Sequence, residues 1–413
     1  MMRMNLNLKT TKAFYLLLIA GLSLTSCSEK AEDKDEVKGI VTEVKDDFAP
    51  DKRVALFKVD YEKEGNKYIL KGETNMPEAK KTLIKKLDSE NIEYTENITI
   101  LPDTSVTNNT YGVISNSVAN LRGEGKHSAE LVTQATLGMP VKVWKKEGSW
   151  FLIQTPDDYL AWVDAGGIET MDKDQFENWK ISEKIIYKNA YGQSYQESSK
   201  DSKPVSDLVT GSVLEILEEG NDFYKVKYPD GREAFILKNE AELYSEWLEN
   251  LEASEESLVN TAESLTGLPY LWGGTSSKGV DCSGYTKTIY FMNGLIIPRD
   301  ASQQIHEGKL IDSVGDFDKL AVGDLLFFGR KASDSTKERV VHVGMWIGEN
   351  EFIHSSGSVR VSSMDKASER FDEFNKNRYL RSKRILGQNT KGLTYLKKNN
   401  IFLDPKGVDT LAN

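Results

Sequence analysis

Cysteine is nearly absent from this sequence. Its 413 residues hold two, Cys27 and Cys282, too few for a disulfide framework. Histidine is scarce as well, with four residues, so imidazole chemistry has few candidates. No run of 18 or more apolar residues follows the N-terminal stretch, so no internal membrane-spanning helix is expected. Positive charge is in deficit: 53 Lys and Arg stand against 64 Asp and Glu, for a net charge of −11. Nucleic acid is a poor partner for such a chain, because affinity there rests on neutralised phosphates. What is present is a charged fraction of 28% beside a hydrophobic fraction of 39%. That balance suits a soluble, core-forming chain, and the length allows several domains.

The N-terminus has the pattern of an export signal. "MMRMNLNLKTTK" is basic, and "AFYLLLIAGLSL" is apolar but too short for a comfortable span. The stretch ends in "LTSC", Leu24 to Cys27, which resembles a bacterial lipobox. That resemblance implies a signal peptide over 1–26, acylation of Cys27, and a place in the cell envelope. The anchor is expected at the outer membrane, on its periplasmic or surface side. Several acyl chains anchor stably because each buried CH₂ adds about 0.8 kcal/mol. Residues 27–37, polar and charged, read as a tether. An acylated Cys27 cannot pair with Cys282. Cys282 is then a free thiol in an exported protein, and its reactivity becomes the question.

Residues 38–105 read as a small α/β domain, with strand-like "RVALFKVDYE", "NKYILKGET" and "YTENITIL" around the amphipathic "MPEAKKTLIKKLDSEN". An internal repeat follows. Residues 138–163 align without gaps to 211–236, pairing Val141, Trp150, Pro156 and Trp162 with Leu214, Phe223, Pro229 and Phe235. Short alternating runs between Gly, Asp and Pro turns predict compact barrels, and two copies mean sibling domains rather than a solenoid. The pattern "NLR…ELVTQATLGMPVKV…GSWFLIQTPDDYLAWV" resembles bacterial SH3-like domains of cell-wall enzymes. These domains are placed at 110–168 and 180–242. In the second, Gln134 and Tyr159 have no counterpart. Residues 243–267 are helical in period and lead into a last domain over 250–387. The tail, 388–413, carries no recognisable motif.

Three stretches of the last domain carry chemistry together. In "PYLWGGTSSKGVDCSGYTKTIYFMNG" the apolar Tyr285, Ile289 and Met292 form a helical stripe after Cys282. The thiol then sits at a helix N-terminus, where the dipole favours the reactive thiolate. "VVHVGMWIG" and "NEFIHSSG" read as a hairpin turning near Gly348, which sets His342 roughly opposite His354 on one face. One imidazole can take the thiol proton and the other can orient it. "GDLLFFG" supplies an apolar neighbouring strand. Taken singly, a buried Cys is commonly inert packing, and Cys with two His is also zinc-like, though no fourth ligand is apparent. His127 and His306 are given no chemical role.

The series "YLWGG…DCSG…PRDASQQ…GDLLFF…HVGMWIG…FIHSSG" resembles the NlpC family of papain-like peptidases that cut bacterial cell-wall peptides. The resemblance implies an α+β chain: a papain-like domain behind two SH3-like barrels and the small α/β domain. It makes Cys282 the nucleophile, His342 the general base and His354 the third polar residue, with no cofactor or metal. With the SH3-like domains it implies cleavage between γ-D-glutamate and the diamino acid of stem peptides. A preference for peptides with a free N-terminal L-Ala is implied as well, and a monomer is expected. The substrate-binding residues it implies are Asp281, Tyr270, Ser283 and Ser302, with Glu130 and Tyr159 reaching over from the first SH3-like domain. Asp281 also reads as a helix N-cap. Amidase or acyltransferase chemistry on the same core, or an inactive wall-binding lipoprotein, remain alternatives at this point.

Overall fold

The computed structural model describes residues 36–404. The expected signal peptide, the lipidation site Cys27 and most of the tether lie outside the described residues. Among those described, no helix is long and apolar enough to cross a membrane.

The N-terminal unit packs helices Glu36–Phe48 and Pro77–Ser89 on a three-stranded sheet. Strand Lys67–Thr74 is central, antiparallel to Phe57–Glu64 and parallel to Tyr94–Ile100. Pro77 occupies the first turn of its helix, where its missing N–H costs nothing. The first helix begins at Glu36, inside the stretch expected to be tether. Val37 and Val44, one helix face apart by seven residues, are fully buried and hold it to the core.

The repeat folds as two seven-stranded sheets of the same topology. Every strand of the second starts 73 residues after its counterpart, as Tyr111 and Lys184, Leu131 and Pro204, or Pro140 and Val213 show. Even the turn glycines Gly138 and Gly211 share φ near +80° (80° and 81°). Both mark close approaches to the next domain. A Cβ on Gly138 would lie 1.8 Å from the Val213 carbonyl, and one on Gly211 2.9 Å from Phe291.

The stretch 243–267 is two helices, Tyr244–Asn250 and Glu255–Ser264, rather than one. The Ser254 hydroxyl accepts from Ser257 N–H in a capping box, which starts a new helix. The last domain is built on a six-stranded antiparallel sheet. Its order is Lys309–Asp312, Tyr379–Arg384, Leu325–Arg330, Arg339–Gly348, Glu351–Ser356 and Ser358–Ser363. Alternation splits its residues. Leu325, Phe327, Val343, Met345 and Ile353 pack against helix Cys282–Met292. Leu326, Phe328, Trp346 and Phe352 pack on the opposite face with Phe317 and Tyr379.

The tail is structural. Thr394–Tyr395 pairs with Leu295–Ile296. Phe402, 1% exposed, packs with Phe291 of the last domain and with Tyr244 and Trp247, which follow the second SH3-like copy. Burying one such ring is worth about 1.5–3 kcal/mol, so the tail straps the last domain to that copy.

Candidate active site

Cys282 is the first residue of helix Cys282–Met292, and Asp281 is its N-cap, accepting from Gly284 N–H at 2.7 Å. The thiol is buried against the central sheet. Val343 and Ser283 give it their backbone N–H groups, but burial, aided by the Asp281 charge, pushes it up to about 11. Burial thus opposes the thiolate that the helix N-terminus favours. Desolvation outweighs the helix N-terminus here, and the resting group is a thiol that needs a base.

The expected base stands one residue from that contact. His342 precedes Val343, and its Nε2 lies 2.7 Å from His354 Nδ1. His354 Nε2 lies 3.0 Å from the Ser362 hydroxyl. Both rings are buried, packed by Phe328 and Phe352. Burial holds His342 well below its ordinary value, helped by any charge on His354 and by those of Arg378 and Arg360, and it holds His354 at about 4. Both are neutral at pH 7. If His342 Nδ1 is to receive a proton, its own proton sits on Nε2 and is donated to His354 Nδ1. His354 then carries its proton on Nε2 and donates to Ser362. One tautomer of each ring satisfies the whole line.

The hairpin differs from the expected register in detail. A shift between Trp346 and Gly348 offsets the strands. The residue facing His354 is Gly344, whose added Cβ would lie 3.1 Å from the His354 Cβ. His342 therefore stands diagonal to His354, and the missing side chain at 344 leaves the two rings room to meet.

Asp281 is not free to be a counter-ion for a substrate amine. The fully buried Arg299 donates to both its oxygens, at 3.0 and 2.6 Å, and Gly273 N–H adds a third partner at 3.0 Å. An arginine fork satisfies a carboxylate in this way, so the N-cap reading prevails. Ser283 belongs to the same buried cluster, accepting from Arg299 at 3.0 Å. Tyr270 stays 36% exposed near Cys282 and Asp281, and burial pushes its hydroxyl up to about 12.

The first SH3-like copy does reach this domain. Trp272 Nε1–H donates to Glu130 at 2.8 Å, and the Tyr159 hydroxyl lies 3.3 Å from Asp300. Gln134 accepts from Thr275 N–H and the Ser276 hydroxyl, and Thr133 accepts from Arg299. Ser302 accepts from Arg53 of the N-terminal unit at 2.9 Å. Arg299, Asp300, Gln134 and Ser362 are residues the sequence reading missed. Signals existed for Gln134, which lacks a counterpart in the repeat, and for Arg299 and Asp300, which stand in the "PRDASQQ" stretch. His127 and His306 are exposed on the surface. Among the described residues, no group of three or more His, Cys, Asp or Glu is arranged to hold a metal ion.

Residues 267–376 match the NlpC/P60 family, and 117–169 and 195–241 match the bacterial SH3 domain. A γ-D-glutamyl-L-lysine dipeptidyl-peptidase of Bacillus cereus is 32% identical over 244 residues, 56% of this chain and 69% of that protein. The chain belongs to the NlpC/P60 family. A Bacillus subtilis protein of the same name is 30% identical over 54% of this chain and 71% of its own length. The crystal structure of an NlpC/P60 family protein from Bacillus cereus superposes with a TM-score of 0.57 at 26% identity, covering 67% of this chain and 99% of that one. The protein is thus a cysteine peptidase of a peptidoglycan-hydrolysing family. The SH3-like copies and papain-like domain expected from the sequence are those of an NlpC/P60 protein.

Proposed function

We propose that this protein hydrolyses the bond between γ-D-glutamate and the following diamino acid in peptidoglycan stem peptides whose N-terminal L-alanine is free. The observation that carries this reading is the line from His342 through His354 to Ser362, one residue from the Val343 backbone that contacts the Cys282 thiol, with Glu130 and Tyr159 spanning onto the same domain. The named activity of the Bacillus relatives supports the choice of bond.

His342 Nδ1 takes the thiol proton as the Cys282 sulfur attacks the γ-glutamyl carbonyl carbon. The oxyanion of the tetrahedral intermediate faces the N–H groups at the helix N-terminus. His342 returns its proton to the departing amine of the diamino acid, leaving a thioester on Cys282. A water then gives a proton to His342 and its oxygen to the acyl carbon. The thiol is restored and L-Ala-γ-D-Glu is released. His354 and Ser362 hold the His342 ring in the required tautomer throughout.

With Asp281 and Ser283 occupied by Arg299, recognition of the alanine amine falls to Glu130 and Tyr159, with Tyr270 beside the thiol. The second oxygen of Glu130 and the lone pairs of the Tyr159 oxygen are suited to accept from an ammonium. An intact stem peptide, amide-linked to sugar, offers no ammonium and adds bulk. The substrates are therefore released, sugar-free peptides, and the role is recycling or trimming at the envelope. Acylation of Cys27 would keep the enzyme there, and a Cys27→Ala chain should leave the membrane fraction. Incubating the mature protein with L-Ala-γ-D-Glu-diaminopimelate and identifying products by mass spectrometry tests the activity. Release of free diaminopimelate supports it. A deamidated or acyl-transferred product, or none, overturns it.

A further inference from the structure

The N-terminal unit lies outside the residues matched by either family model, yet one of its side chains ends among the substrate-side residues. Arg53 Nη1 donates to Asp300 at 2.8 Å and to Ser302 at 2.9 Å. Its Nε and Nη2 donate to the two oxygens of Asp51 at 2.8 and 2.7 Å. Asp51 also accepts from Gln303 at 2.9 Å, and Asp300 from Tyr159 at 3.3 Å. The backbone behind Arg53 is fixed too. Leu160 N–H donates to the Arg53 carbonyl at 2.7 Å, and the Gln154 amide to that of Val54 at 3.1 Å. Three parts of the chain thus meet at one guanidinium.

We propose that Arg53 is a specificity-determining wall of the cleft, closing its amine end so that a single residue fits ahead of γ-D-glutamate. This rests on the function proposed above. Two features make Arg53 a wall rather than a swinging plug. Its planar fork is committed on three nitrogens, and its main chain is bonded to the first SH3-like copy. The charges also fit an ammonium. Asp51 and Asp300 against Arg53 leave one negative charge over, while Arg299 and Asp281 neutralise each other. A substrate ammonium beside Tyr159 completes the balance, whereas a peptide continuing past that point runs into the guanidinium.

The test compares L-Ala-γ-D-Glu-diaminopimelate with the same peptide extended by an N-terminal glycine, in the full mature chain. The unaltered protein should prefer the unextended peptide strongly. Arg53→Ala should cut that preference in kcat/KM by about tenfold or more, a change of about 1.4 kcal/mol. The gain should appear mainly as a lower KM for the extended peptide. Arg53→Lys, which keeps a charged side chain but not the fork, should retain an intermediate preference. Asp51→Ala should shift it in the same direction as Arg53→Ala, by less. An unchanged preference in Arg53→Ala, or an equal loss on both peptides as a merely structural role would give, overturns the inference while the proposed function stands. Failure of the unaltered protein to cut the short peptide overturns both.

Discussion

The two SH3-like copies share every strand and a constant step of 73 residues, yet they do different work. In the first, Glu130, Thr133, Gln134 and Tyr159 all engage the peptidase domain. The positions 73 residues on are Lys203, Ser206, Asp207 and Arg232. Asp207 forms an ion pair with Lys278 at 2.6 Å, and Lys278 also donates to Ser117 of the first copy. Arg232 lies over the Tyr228 ring and donates to the Ser115 carbonyl. The first copy faces Trp272, Thr275, Arg299 and Asp300 of the peptidase domain, and the second braces the first against that domain. One fold, duplicated, was adapted to opposite ends of the problem by changes at a few edge positions, while the buried alternation that specifies the barrel was kept.

The largest effect should come from the site that both copies serve. Cys282→Ala should abolish hydrolysis with an unchanged melting temperature, and His342→Ala should be nearly as severe. His354→Asn should be milder than His354→Ala, because an amide can still bond to His342; equal losses would remove His354 from its orienting role. Next comes the first copy. Gln134→Ala removes bonds from Thr275 and Ser276, each worth about 1 kcal/mol, so stability and kcat/KM should fall together, the latter by about tenfold. Unchanged kinetics would mean the first copy does not position the loop beside Cys282. The smallest effect should come from the second copy. Asp207→Ala breaks its partly exposed pair with Lys278, worth about 0–1 kcal/mol, so the melting point should move slightly and KM not at all. A shift in KM would blur the distinction between a recognising and a bracing copy.

The pH profile tests the buried trio independently of either copy. The competent form has a neutral His342 and a protonated thiol. Protonating His342 on the acid side removes the base, and its lowered value puts that limb below the ordinary 6.5. The alkaline limb follows the thiol, near about 11. kcat/KM should be flat across neutral pH. An acid limb at about pH 6.5 would mean that His342 titrates unshifted.

Local periodicity made much of this legible in advance. The repeat, the helix after Cys282 and the hairpin with two histidines follow from patterns within about 15 residues, where spacing decides which side chains share a face. The diagonal offset of His342 and His354 did not, because one register shift near Ile347 lies below the reach of such patterns. Asp281 was read as both cap and counter-ion. Its partner Arg299 is 18 positions away, and no local rule announces a buried fork. Arg53 and Asp300 are 247 positions apart, and a partnership of that kind is set by how domains dock. The helix starting at Glu36 was hidden by the acidic residues around its buried valines.

The claim that the first copy reads a free amine is tested most directly by competition. Equal amounts of L-Ala-γ-D-Glu-diaminopimelate and its N-acetyl form would be offered together to the unaltered protein and to Glu130→Gln. A charge-assisted contact is worth about 1.5–3 kcal/mol, so the free peptide should be cut at least about tenfold faster. Glu130→Gln should narrow that margin by slowing the free peptide alone. Equal rates on the two peptides, or a margin untouched in Glu130→Gln, would contradict the account.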